Sequence, residues 1–343
     1  MDEVLYFYPN FYLTMRAVSS KFLWLSLLLL LVFILNMSLG SVILPRSVWV
    51  DLLHGHVSET YQGILHYRLL KAFAAVLAGG GLALSGLLLQ TMFRNPIVGP
   101  YVLGMSSGAG LGVALLFLGG SFFGFSYFSG LTTGMAAALG SLWVLLVIIG
   151  LYYKFKNPVH LLIAGLMIGF FTSAVISILS YFTDATSLQK FVFWAMGTLG
   201  SQSVSQLWII FIVLLISVIF SFLFFKDLNL LLLGEEYALS MGVSVKRIHF
   251  FIVILTGILV GVITAFFGPI GFVGLAVPHL SRRFFDTHLH QILIPVNVLL
   301  GAILLLVCDV IAQVPGSIIS LPINSVTAIF GAPLVVYMLL KDK

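Results

Sequence analysis

Along this chain, apolar runs long enough to cross a bilayer alternate with short clusters of charged residues, proline, glycine and asparagine. A hydrocarbon core takes about 20 consecutive apolar residues per helical span. By that measure the pattern predicts ten spans, over 22–43, 69–90, 103–119, 127–151, 158–181, 206–225, 248–267, 270–285, 292–312 and 322–340, joined by short loops in one transmembrane domain over residues 1–343. The stretches 103–119 and 270–285 are short and lie beside Gly/Pro-rich sequence.

Small residues crowd several runs: Ala78-Gly79-Gly80-Gly81 through Ser85-Gly86, then Gly104, Gly108 and Gly112, Gly130 with Gly134, and Gly257 with Gly261. Lipid gives helices no hydrophobic reason to associate, so close backbone approach at small residues must hold such a bundle together. The Gly-rich run ending near Gln90 is followed by Asn95-Pro96-Ile97-Val98-Gly99-Pro100 and a short apolar segment. The run from Leu255 is followed by Gly268-Pro269-Ile270-Gly271-Phe272-Val273-Gly274 and another short segment. Corresponding breaks that face opposite sides of the membrane are the mark of an inverted repeat and point to a transport pathway.

Composition excludes a water-soluble globule. Hydrophobic residues are 61% of the chain and charged residues 8%, with a mean hydropathy of +1.17, whereas a soluble domain is about a quarter charged. The net charge of +5 is no nucleic-acid signal, because the basic residues fall between apolar runs rather than on one face. Cys308 is the single cysteine, so one chain forms no disulfide or thiolate cluster. The first run follows Arg16 and Lys21 as in a signal peptide, but it is longer than an h-region and lacks a small-x-small cleavage site; a retained first helix is expected.

With the N-terminus in the cytoplasm, twelve basic residues fall inside (Arg16, Lys21, Arg94, Lys154, Lys156, Lys226, Lys246, Arg247, Arg282, Arg283, Lys341 and Lys343) and four outside (Arg46, Arg68, Lys71 and Lys190). That bias predicts cytoplasmic termini at both ends. The eleven acids fall in loops or at span ends, Asp184 and Asp309 lying closest to the hydrocarbon, and no Gly-Lys dipeptide exists to build a P-loop. A conduit driven by a separate ATPase is the economical reading. An ion-coupled carrier, which needs titratable groups deep in the membrane, is the alternative. An intramembrane enzyme has no H-E-x-x-H pattern to support it.

The longest cytoplasmic loop, 226–247, is expected to form a knob of two short helices. Glu235 and Glu236 suit the first turn of a helix, Gly242 suits its left-handed C-terminal cap, and Ser244 suits the cap of the next helix.

These residues resemble a known family over nearly the full chain: the ABC permeases that import iron–siderophores, haem and vitamin B12, the transmembrane subunits of type II importers. The matching stretches are Arg68-Leu69-Leu70-Lys71, Ala83-Leu84-Ser85-Gly86 with Gln90, Arg94-Asn95-Pro96, Leu103-Gly104 with Ser106-Ser107-Gly108-Ala109, and Trp194-Ala195-Met196-Gly197. Further matches are Leu233-Gly234-Glu235-Glu236, Gly268 to Leu275 with Pro278-His279, and Leu321-Pro322 with Thr327 to Pro333. Leu70 and Lys71 stand where the family usually has proline and arginine.

The resemblance implies an all-α permease of ten helices with no catalytic residue and no metal or cofactor of its own. It also implies a homodimer with the pathway on its two-fold axis, two cytoplasmic ATPase subunits holding ATP and Mg, and a periplasmic or lipid-anchored substrate-binding protein. The implied location is the bacterial cytoplasmic membrane. Gly234, Glu235, Glu236, Ala238, Gly242 and Val243 would then couple to the ATPase, and Arg68 and Lys71 would meet acids on the binding protein. Trp194, Met196 and Gly197 would line the outer vestibule, and Asn157, Pro158 and Val159 would lie near the cytoplasmic gate. The H-x-H pairs His54/His56 and His288/His290, and His66, read mostly as solvated loop residues, and His279 as a structural one.

Overall fold

The computed structural model describes residues 8–341 apart from 41, 43–44, 46–47, 49–53, 55–57, 121–129, 155–157, 201 and 315–319. Asn157, His56, Arg46, Lys156 and Lys343 therefore lie outside the described residues. Among the described residues the chain is helical throughout, with no strand. In order, the helices are α1 (Tyr8–Ser38), α2 (Glu59–Phe93), a 3-10 turn (Pro100–Leu103), α3 (Met105–Phe117), α4 (Gly130–Lys154), α5 (Pro158–Phe182) and α6 (Ala185–Ala195). They continue as α7 (Val204–Leu223), α8 (Phe225–Leu232), α9 (Glu235–Ser240), α10 (Val245–Phe267), α11 (Val273–Phe285), α12 (His290–Ala312) and α13 (Ile323–Lys341).

Seven of these helices are long and apolar enough to cross a membrane, and the shorter α3, α11 and α13 occupy the other three expected positions. The boundaries move where local chemistry differs from the hydropathy edge. α1 runs over 8–38 rather than 22–43, and α2 begins ten residues early, after Ser58, because nothing before Leu69 stops a helix there. The span expected at 270–285 starts at Val273, since Gly268 to Phe272 form a turn.

α2 is apolar on every side and sits at the centre: 89% of its most apolar window is buried, against 17% for α5. A helix hydrophobic all round belongs in a core. It packs on α12, α11 and α10, while α3 and α4 form a second close pair. Glycines make these crossings possible. A Cβ on Gly86 would strike the Gly274 carbonyl, one on Gly79 the Gly301 carbonyl, and one on Gly140 the Gly108 carbonyl. The small-residue clusters thus lie at helix–helix contacts, as membrane packing requires.

The two halves echo each other. Each Gly-rich long helix (α2, α10) ends in a break, and each break leads into a 13-residue helix (α3, α11). Both breaks open and close on left-handed residues, Arg94 (φ 47°) with Gly104 (φ 76°), and Gly268 (φ 73°) with Phe272 (φ 66°). α11 crosses onto α2, and α3 touches α10.

Candidate functional site

Leu228 and Leu231, one turn apart, bury one side of α8. The chain then bends at Gly234, whose φ of 124° is costly for any residue with a side chain. Glu235 and Glu236 occupy the first turn of α9, where the helix dipole favours them. At the other end Gly242 (φ 83°) donates its amide to Leu239 O at 3.0 Å, and Val243 donates to Ala238 O at 2.9 Å. These two bonds make a Schellman cap. Ala238 and Val243 are buried beneath the knob, while Leu233, Tyr237, Leu239 and Met241 stand about half exposed or more along its crest. Such a contiguous apolar patch on a polar rim marks a contact surface.

Gly242 closes α9 as expected, but the helix after it is the long α10, and the second short helix, α8, lies before α9 across the bend at Gly234. Ser244 precedes α10 but makes no side-chain cap bond.

The roots of the knob reach the core. Asn229 Oδ1 accepts the His290 amide at 2.8 Å and lies 2.7 Å from His290 Nδ1, and His290 Nε2 lies 2.8 Å from Thr91 Oγ1. Beside Thr91 along α2, Gln90 binds Arg282 through Oε1 and donates to Leu275 O at 3.1 Å. Towards α4, by contrast, the knob borders a cavity of about 600 Å³ lined by Tyr152, Leu239, Lys246 and His249 among others.

At the opposite end, α6 is capped by Asp184, whose Oδ2 accepts the Ser187 amide at 2.9 Å. That bond holds the carboxyl below the usual carboxylate range. The residues after α6 are knotted to two other breaks: Asn324 donates to Met196 O at 3.2 Å, Thr198 to Phe267 O at 2.8 Å, and Gly271 to Asn324 Oδ1 at 3.0 Å. A Cβ on Gly268 would stand 2.5 Å from Trp194 O. The fold thus brings Trp194, Met196 and Gly197 against the Gly268–Phe272 turn and the start of α13. Met196 and Gly197 also line a cavity of about 330 Å³ with Tyr67, Lys71, Asp309 and Pro322.

Arg68 and Lys71, expected to meet acids on a docking partner, are engaged inside the chain. Arg68 is 5% exposed and donates to Met37 O at 3.0 Å and Ser38 O at 3.1 Å, capping the last carbonyls of α1, and to Val42 O just beyond it. Lys71 pairs with the buried Asp309 at 3.0 Å, and Asn36 (2.9 Å) and Gln313 (2.7 Å) donate to the same carboxylate. Sequence reasoning missed Asn36, Asn229 and Thr91. The one signal was a polar side chain inside or beside an apolar run. Pro158 opens α5, where its missing N–H costs nothing, and Val159 is exposed next to it. His288 is exposed while His290 is buried, so their rings share no face. His54 and His66 are exposed and His279 is half-buried in α11. Among the described residues no group of three or more His, Cys, Asp or Glu is placed to hold a metal.

With this geometry the chain can be set beside known proteins. A model of the FecCD transport family matches residues 28–341. The vitamin B12 import system permease protein BtuC of Klebsiella pneumoniae subsp. pneumoniae is 33% identical over 319 residues, covering 93% of each chain. The BtuC protein of Salmonella typhi is 34% identical over 318 residues, covering 93% of this chain and 94% of the relative. Among solved structures, an inward-facing conformation of a metal-chelate type ABC transporter superimposes with a TM-score of 0.82 at 30% identity, covering 94% of this chain and 99% of the other. Seven long apolar helices and three shorter ones in the expected order, two matched breaks and a relationship that runs almost end to end leave one assignment: the chain is a membrane permease, not an enzyme, and belongs to the FecCD transport family of ABC importers.

Proposed function

We propose that two copies of this chain enclose the pathway of an ATP-driven importer for metal chelates of the siderophore, haem or cobalamin class, with the α8–α9 knob as the contact for the motor. The knob carries the reading. It is closed at Gly242 by a Schellman cap, it buries Ala238 and Val243, and it presents an apolar crest on an otherwise short connection. The ATP and Mg belong to two ATPase subunits in the cytoplasm, on the same side as both termini, and an external binding protein delivers the substrate at the opposite end. An exposed apolar side of α5 supports the pairing of two copies: Ile163, Met167 and Phe170 form a stripe at helical spacing. The relatives named for vitamin B12 favour a corrinoid among the candidate cargoes.

The knob is tested by Gly242→Val, which puts a β-branched residue at positive φ at a cost of about 1–3 kcal/mol, and by Glu235→Lys with Glu236→Lys. Both variants should insert and dimerise, but substrate should no longer stimulate ATP hydrolysis in vesicles holding the full transporter. Normal stimulation in both would make the knob a plain connector. A panel of ferric siderophore, haemin and cyanocobalamin in the same vesicles identifies the cargo.

A further inference from the structure

α8 contributes only eight residues, yet it is fixed to the centre of the molecule by polar bonds that the transport family assignment does not explain. Asn229 Oδ1 already accepts the His290 backbone N–H, so the atom facing His290 Nδ1 is an acceptor and Nδ1 must carry the proton. In the neutral ring Nε2 is then an acceptor 2.8 Å from the Thr91 hydroxyl, whose single proton is shared between it and the Leu87 carbonyl at 2.9 Å. His290 is 1% exposed and Thr91 2% exposed, and a buried polar group that loses its partner is penalised, so loss of either neighbour leaves the His290 ring with an unmet group.

Each belongs to a different element: Asn229 to α8, His290 to the first turn of α12, and Thr91 to the last turn of α2. α2 and α12 form the most extensive helix pair in the fold. The next residue along α2, Gln90, is bonded to α11 through Arg282 and Leu275. On the other side of this junction the Arg94 guanidinium lies against Gly234, the bend of the knob. Opposite it, a cavity lies between Leu239 and α4, which reaches the base of the knob through the Tyr152 hydroxyl on the Lys246 carbonyl at 2.6 Å. A displacement of the knob is therefore resisted at its base and open along α9.

We infer that Asn229, His290 and Thr91 are positioning residues that carry movement of the α8–α9 knob into the α2–α12 core, and so set how much substrate is moved per ATP hydrolysed. The inference rests on the reading of the knob as the motor contact. The triad touches neither substrate nor nucleotide. It makes the knob and the central helices move as one body.

The experiment uses the complete transporter, with its ATPase and binding protein, in proteoliposomes. Thr91→Val keeps the shape and removes the donor, Asn229→Ala removes the acceptor, Thr91→Ser keeps the hydroxyl, and Gly242→Val disturbs the knob itself. The readout is substrate accumulated per ATP hydrolysed, which is independent of how much protein folds. Thr91→Val and Asn229→Ala should lower this ratio at least about fivefold, the lower bound of ordinary inter-site coupling, while Thr91→Ser retains it. A wild-type ratio in Thr91→Val and Asn229→Ala, including one accompanied by a lower thermal midpoint, would assign the triad a purely structural role and overturn the inference. If Gly242→Val alone uncouples, the knob is the motor contact and only the triad fails. If all four variants couple normally, the underlying reading of the knob fails with it.

Discussion

Lys71 and Asp309 illustrate what one residue's environment decides. Each alone is a charge near the membrane edge; together, with Asn36 and Gln313 on the same carboxylate, they form a hydrogen-bonded ion pair. Removing one partner leaves a buried charge uncompensated, which costs about 3 kcal/mol or more, whereas apolar residues at both positions are tolerated. Lys71→Met or Asp309→Leu singly should lower the thermal midpoint in detergent, and the double variant should recover most of the loss. A double variant as unstable as the sum of the singles would show that the two do not interact. Asp184 adds a pH dependence. Its pKa is depressed by the Ser187 amide, so the cap on α6 is fully present at neutral pH and is lost as pH falls through that depressed value, below the usual carboxylate range. The protection of α6 amides, relative to their intrinsic exchange rates, should hold at pH 5 and fall only at strongly acidic pH, and Asp184→Ala should abolish the change. The left-handed Gly242 was legible in the sequence, because acids at a helix start and a glycine seven residues on follow local rules. The inward turn of Arg68 was not, since its acceptors come from the end of α1, about thirty residues away.

At the scale of elements, glycine decides which helices touch. The α2–α11 crossing admits no Cβ at Gly86, where the collision is with the Gly274 backbone and no rotamer change relieves it. Gly86→Ala should destabilise the bundle by about 1–3 kcal/mol, seen as a lower thermal midpoint. Gly150→Ala in α4, where an added Cβ meets nothing, should leave it unchanged. Equal effects would detach the glycine pattern from packing. The positions of the long helices were readable because hydropathy alone requires them. The short ones were harder. α8 reads as loop because its polar residues Lys226, Asp227 and Asn229 outweigh two buried leucines, and only the fold supplies the surface those leucines cover. Ser244 obeys the composition of a cap without making the bond, because composition does not fix a side-chain rotamer.

Across the whole molecule the two sites lie at opposite ends of the bundle, the Thr91–His290 junction at one and the Met196–Asn324 knot at the other. Charge counting assigns the first to the cytoplasm. Cys308 is buried, so single cysteines at 286 and 198 can be labelled in an otherwise silent background. Position 286 should react from the inside and 198 from the outside, and the reverse pattern would invert the topology. The matched breaks made the two-fold internal echo readable, because each break carries its own glycines and prolines.

The central place of α2 also has a cost in time. Thr91 and His290 are 199 residues apart, and at ribosomal speeds of 5–20 residues per second α2 waits on the order of ten to forty seconds before α12 exists to receive it. Until then its faces at Gly79 and Gly80 and its polar last turn lack the helix they pack on, although α10 and α11 are already made. A nascent chain halted before α12 carries those unmet surfaces at its centre.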